Sequence, residues 1–166
     1  DLEGRMVMPG IHDAHSHPIE AAVQLRLECK FREKTLDAAL AKIEACAKQA
    51  KPGAWIRGGG WDKGFFEGQS LPREILDRIA PDNPVFLMDW SYHNAWVNTR
   101  ALQELGIDKN TPDPAGGIIR RVAGSGQETG ILVDNAAYLY QSRLPEYPLG
   151  DRVDALDWAL RQNEEY

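Results

Sequence analysis

Cysteine is nearly absent from this chain, with two in 166 residues, Cys29 and Cys46. Two thiols cannot build the disulfide framework of a small secreted scaffold. Cys46 falls on the apolar stripe of a helical pattern, so it is expected as a buried, inert thiol. Long apolar runs are lacking too, and none approaches the roughly 20 residues that a membrane-spanning helix needs. Clustered positive charge is missing: 19 Lys and Arg stand against 25 Asp and Glu, net −6, and the pair Arg120–Arg121 is isolated. Nucleic-acid partners are therefore excluded as an expectation, because phosphate binding needs a concentrated basic surface. No internal repeat or low-complexity linker divides the chain. What remains, 43% hydrophobic and 27% charged residues, is the composition of a globular domain with a real core.

Local signals punctuate the chain clearly. Residues 5–11, RMVMPGI, read as a short apolar strand. TLDAALAKIEACAKQAKPG reads as an amphipathic helix capped by Thr35, with Leu36, Leu40, Ile43 and Ala47 on one face and Pro52-Gly53 as its stop. AWIRGGGWDKG is expected as a brief strand running into a glycine-rich loop. Ser70 is a candidate cap for the short helix PREILDRIA, and PDNPVFLMDW follows as a turn and a buried strand. Asn98 is placed to cap TRALQEL, which Gly106 closes. GGIIRRV and TGILVD flank AGSGQE as a β-hairpin, and helical stretches follow at roughly 135–144 and 152–165. Strands alternating with helices define an α/β class. The chain opens on DLEGRM without an initiator methionine and stops at RQNEEY inside a helical pattern, so a piece of a longer protein is expected.

Histidine is scarce, yet three of the four residues lie between His12 and His17. On an extended segment side chains alternate faces, so Asp13, His15 and His17 share one side and His12 takes the other. Two imidazoles at that spacing start about 6–7 Å apart and can converge on one ion. Taken in isolation such a pair is more often exposed and idle, so spacing alone does not establish a metal site. His12 is read as structural or partly exposed.

The context around the pair is more specific. MVMPGIHDAHSHP resembles the first-strand signature of the amidohydrolase superfamily, an apolar strand and Pro-Gly followed by Asp-x-His-x-His. WIRGGGWD, LPREILDRIAPDNPVFLMDWSYHNAWVNTRALQELGI, GGIIRR and ETGILVDNAA resemble, in order, amidohydrolase family 3, over residues 1 to 140. The resemblance implies a (β/α)8 barrel, here partial, interrupted by an inserted α+β/hairpin segment. Residues 1–5 would end a small β-rich domain, 6–20 would form the first barrel strand, 21–140 the insertion, and 141–166 a helical part. It implies one or two divalent ions, zinc foremost, at the C-terminal end of the barrel strands, with His15 and His17 as ligands. Asp13 would orient those ligands from behind. Asp134 is the candidate carboxylate at the metal site, although a helix N-cap is the favoured reading of that position. The further ligands expected of such a site would lie outside these residues, since His93 is the one histidine after His17.

GGGWD lacks the lysine and hydroxyl of a phosphate loop. Trp61 and Asp62 within it, and His93 after the buried strand, are candidate substrate contacts; Trp96 is expected in the core. The implied activity is hydrolysis of a non-peptide carbon–nitrogen bond, in an amide or formamide, by metal-activated water. The implied partner is a small molecule, with a cytoplasmic location and self-association through exposed strand faces. Competing expectations are a non-catalytic binding or assembly module and a metal phosphoesterase opening on His-x-His.

Overall fold

The computed structural model describes residues 3–10, 14–66 and 72–164. Its elements run α1 (Pro18–Leu27), β1 (Cys29–Lys30), α2 (Leu36–Gln49), β2 (Ile56–Trp61), α3 (Arg73–Ile79), β3 (Val85–Asp89), β4 (Asn94–Val97), α4 (Thr99–Glu104), β5 (Gly117–Arg121), β6 (Glu128–Asp134), α5 (Asn135–Gln141) and α6 (Leu149–Glu164). The strands form one six-stranded sheet in the order β1-β2-β3-β4-β6-β5. β1, β2 and β3 pair in parallel, and β3-β4, β4-β6 and β6-β5 pair antiparallel. The mixed α/β class thus holds. The sheet is open and half antiparallel, whereas a (β/α)8 barrel is closed and parallel throughout.

Every residue of β3 is buried because helices cover both faces of the sheet. Val85 and Leu87 face α2 and α3, in a cluster with Ile43, Leu76, Trp61 and Trp96. Phe86 and Met88 face α4 and α5, in a cluster with Leu102, Ile119, Leu132 and Tyr140. Each such large side chain, fully buried, contributes about 1.5–3 kcal/mol relative to exposure. Thr35 caps α2 by accepting from the Ala38 amide at 3.3 Å, as its position predicts. Asn98 caps α4 and also does more. Wholly buried, its Oδ1 accepts from the Ala101 and Val85 amides at 2.9 and 3.0 Å. Its Nδ2 donates to the carbonyls of Asn83 and Ala80 at 2.9 and 3.3 Å. One side chain therefore ties α4 to β3 and to the turn before it.

Three expectations are corrected. Residues 6–10 form no strand: they lack a sheet partner, and Met6, Val7 and Met8 stay 82%, 71% and 66% exposed. An apolar run becomes a strand only where another strand can satisfy its backbone. Gly58, Gly59 and Gly60 lie inside β2 rather than in a loop, at φ +140°, +138° and +120°. A Cβ on Gly59 would stand 1.9 Å from the Met88 carbonyl oxygen, and one on Gly60 1.6 Å from that of Phe31. Glycine is needed there because neighbouring backbone approaches too closely for any side chain. Finally, Cys46 is not a free thiol. It is disulfide-bonded to Cys29, the two Cα atoms 5.9 Å apart, joining α2 to the edge strand β1. The chain crosses from β1 to α2 and back, so 17 positions of sequence separation collapse into contact.

Candidate functional site

His15 and His17 lie just before α1, on a bend rather than a strand. Pro18 opens the helix, where its missing N–H costs nothing and its fixed φ suits the first turn. The two rings nevertheless converge. Their Nε2 atoms are 3.2 Å apart and their centroids 5.0 Å apart, nearly edge to face. Two nitrogens each about 2.0–2.1 Å from one tetrahedral ion would lie roughly 3.3 Å from each other. The separation of the two nitrogens therefore matches that of two ligands on a shared metal ion. Both residues are exposed, so the pair is open to solvent. Asp13 and His12 lie outside the described residues, as does Ser70.

Asp134 goes elsewhere. No group of three His, Cys, Asp or Glu side chains placed to hold a metal occurs among the described residues, so Asp134 does not complete a cluster with His15 and His17. Nor is it a side-chain cap for α5, although it occupies that position. Its Oδ1 meets Nδ1 of His93 at 3.1 Å, and its amide donates to the His93 carbonyl at 2.6 Å. Tyr138, one turn into α5, brings its hydroxyl to 3.4 Å from the same ring nitrogen. Asp134 itself sits at φ +49°, and Tyr92, just before His93, at +60°. Such backbone persists only where the surroundings over-determine it.

The constraint comes from Asp89, which sequence reasoning missed. It ends β3, is 1% exposed, and grips the turn that carries His93. Oδ1 accepts from the amides of His93 (2.8 Å) and Asn94 (3.1 Å); Oδ2 accepts from Ser91 Oγ and Asn94 Nδ2, both at 2.7 Å. Burial pushes its carboxyl upward, but the hydrogen bonds from Ser91, Asn94 and His93 outweigh that and hold it below the usual carboxylate range. The available signal was Asp followed by Ser two residues on, the pattern of a side chain that closes its own turn.

The remaining candidates do not gather around His93. Trp61 is 1% exposed in the core; its indole donates to the Leu87 carbonyl at 2.8 Å and packs on Phe66 and Trp96. Asp62, its neighbour, is exposed and accepts from the Gly64 amide at 2.8 Å, starting a 3-10 turn over Lys63–Phe66. The two line different cavities. A third cavity, of about 390 Å³, lies between α1, the bare glycines of β2 and the segment after α5. Burial pushes the Glu28 carboxyl up there despite the nearby Arg57 guanidinium. Partial burial and then the neighbouring Glu28 carboxylate push the Tyr147 hydroxyl up to about 12. Arg57 stacks on the Tyr147 ring, 4.4 Å from its centroid.

With the geometry in place, comparison with known proteins assigns the class. The model of the amidohydrolase family matches residues 1–166, and the chain belongs to that family. It is 39% identical over 145 residues to the N-substituted formamide deformylase of Arthrobacter pascens, covering 86% of this chain and 27% of that protein. It is 35% identical over 156 residues to Protein LONG AFTER FAR-RED 3 of Arabidopsis thaliana, covering 94% of this chain and 27% of that protein. The fold resembles an uncharacterized metal-dependent hydrolase from Pyrococcus furiosus, with a TM-score of 0.63 at 24% identity, over 98% of this chain and 31% of that one. The chain thus spans about a quarter of the length of the curated relatives it matches.

Proposed function

We propose that this chain supplies the first half of a divalent metal site to a hydrolase of non-peptide carbon–nitrogen bonds, amides or formamides. The observation that carries the reading is the 3.2 Å approach of the His15 and His17 Nε2 atoms, the separation two ligands of one tetrahedral ion require. A bound ion, zinc foremost, would supply an acidified water and polarise the scissile carbonyl. This chain's own part is to present two imidazoles just ahead of the helix that Pro18 opens. His93, oriented by Asp134, offers its exposed ring to a substrate as a hydrogen-bonding contact. Further ligands and any catalytic base belong to residues outside these 166, so the chain alone is expected to bind metal weakly and to turn nothing over. The barrel that the resemblance implies belongs to the same proposal. The Cys29–Cys46 disulfide favours an oxidising compartment over the expected cytoplasmic one.

The test is metal analysis and hydrolysis of N-substituted formamides by the full-length natural protein, beside His15→Ala/His17→Ala. Loss of bound metal together with at least a thousandfold fall in kcat/KM, roughly 4 kcal/mol of transition-state stabilisation, is expected. Full metal content in the double variant overturns the assignment.

A further inference from the structure

His93 and Asp134 meet because the sheet aligns their strands: β4 and β6 pair antiparallel with Asn94 opposite Val133, and the next residues on each side are His93 and Asp134. The contact is made at one ring atom. Nδ1 of His93 lies 3.1 Å from Asp134 Oδ1 and 3.4 Å from the Tyr138 hydroxyl. A neutral imidazole carries hydrogen on one nitrogen and a lone pair on the other. The hydroxyl does not choose between the two forms, because it can donate or accept. The carboxylate does choose, because it only accepts. With hydrogen on Nε2, two lone pairs would face each other across 3.1 Å; with hydrogen on Nδ1, the same distance is a charge-assisted hydrogen bond. The backbone reinforces the pairing, since the Asp134 amide donates to the His93 carbonyl at 2.6 Å.

Hydrogen held on Nδ1 makes Nε2 a lone pair, on a side chain that is 58% exposed. Such an atom accepts from a donor and offers nothing to a carbonyl oxygen. We infer that Asp134 holds His93 in its Nδ1–H form, so that Nε2 accepts from the N–H of a bound amide or formamide and disfavours N,N-disubstituted ones. His93 is then a specificity-determining residue. Asp134 is a positioning residue, acting through the tautomer of the ring rather than by touching substrate. The substrate preference rests on the hydrolase reading; the tautomer does not.

The experiment is solid-state NMR of the full-length natural protein carrying isotope-labelled histidine, at about pH 8.5, where imidazole is ordinarily neutral. The signal lost in His93→Gln is that of His93. The parent should show hydrogen on Nδ1, Tyr138→Phe should keep it there, and Asp134→Gly should move it to Nε2. Glycine adopts φ +49° freely and serves at a helix N-cap, so this variant removes the carboxylate without straining the turn. In kinetics, the parent should hydrolyse N-butylformamide with a kcat/KM at least about tenfold above that for N-butyl-N-methylformamide, the effect of one ordinary hydrogen bond. Asp134→Gly and His93→Leu should each bring that ratio near one, whereas a purely steric preference would survive both. Hydrogen on Nε2 in the parent, an unmoved tautomer in Asp134→Gly, equal rates on the two formamides, or a preference that outlasts both variants overturns the inference. Should the parent hydrolyse neither compound, the hydrolase reading falls, and the spectrum alone decides the tautomer.

Discussion

The two histidine positions of this chain are built on opposite principles. His15 and His17 meet at 3.2 Å on an exposed bend, preceded by a segment with no strand partner. His93 is as exposed as they are, with 58% of its side chain open, yet everything beneath it is fixed. A buried carboxylate holds its amide, a strained Asp134 holds its ring, and a six-stranded sheet holds both. The first arrangement has ligand geometry with little of its own foundation. The second has foundation and a single exposed imidazole. A metal ion supplies binding energy of its own and can order the groups that hold it. A hydrogen-bonding contact to substrate has no such reserve, so its position has to be fixed in advance by the protein.

That contrast is breakable, and the largest effect should come from the foundation. Gly59→Ala would drive a Cβ into the Met88 carbonyl, and a loss above about 4 kcal/mol in urea unfolding is expected. A stability near that of the parent would mean that β2 is not paired as described. Removing the Cys29–Cys46 link through Cys46→Ser should cost about 3 kcal/mol, the loop-closure value for a ring of this size, and added reductant should cost the parent the same.

Asp89→Asn sharpens the comparison further. It places an amide group where four donors converge, and a loss of about 2–3 kcal/mol at pH 7 is expected. Because the folded state holds this carboxyl below its ordinary value, its contribution is present above about pH 4 and fades as pH falls through the folded value. The gap between parent and variant in thermal melts should therefore close in acid. A gap independent of pH would show that Asp89 acts through shape alone. The smallest effect belongs to the histidine arm. Without added metal, His15→Ala should change stability by less than about 0.5 kcal/mol, as exposed substitutions do. With zinc present, the parent alone should gain stability.

Local chemistry was readable in the sequence, and non-local chemistry was not. The Thr35 and Asn98 caps, α2 and the β5-β6 hairpin each announce themselves within a few residues, and each stands where it was expected. The glycines of β2 misled because glycine ordinarily marks a turn. Their actual cause is backbone from two other strands, which no window around residue 59 contains. The disulfide was invisible for the same reason, since only the crossover of the chain brings Cys29 to Cys46. α1 was missed because PIEAAVQLRL shows no apolar stripe and buries only Ala22. At the site, spacing raised His15 and His17 as a candidate pair, by a strand alternation that the bend does not follow, while the contact between Asp134 and His93, 41 residues apart, required antiparallel β4 and β6.

The bare stretch of β2 also determines which parts of the molecule can vary. Gly58, Gly59 and Gly60 form the floor of the cavity beside Glu28 and Tyr147, and a floor without side chains offers substitution nothing to adjust. Side-chain control over what that cavity admits therefore rests with its walls: α1, Arg57 at the start of β2, and the segment from Gln141 to Tyr147.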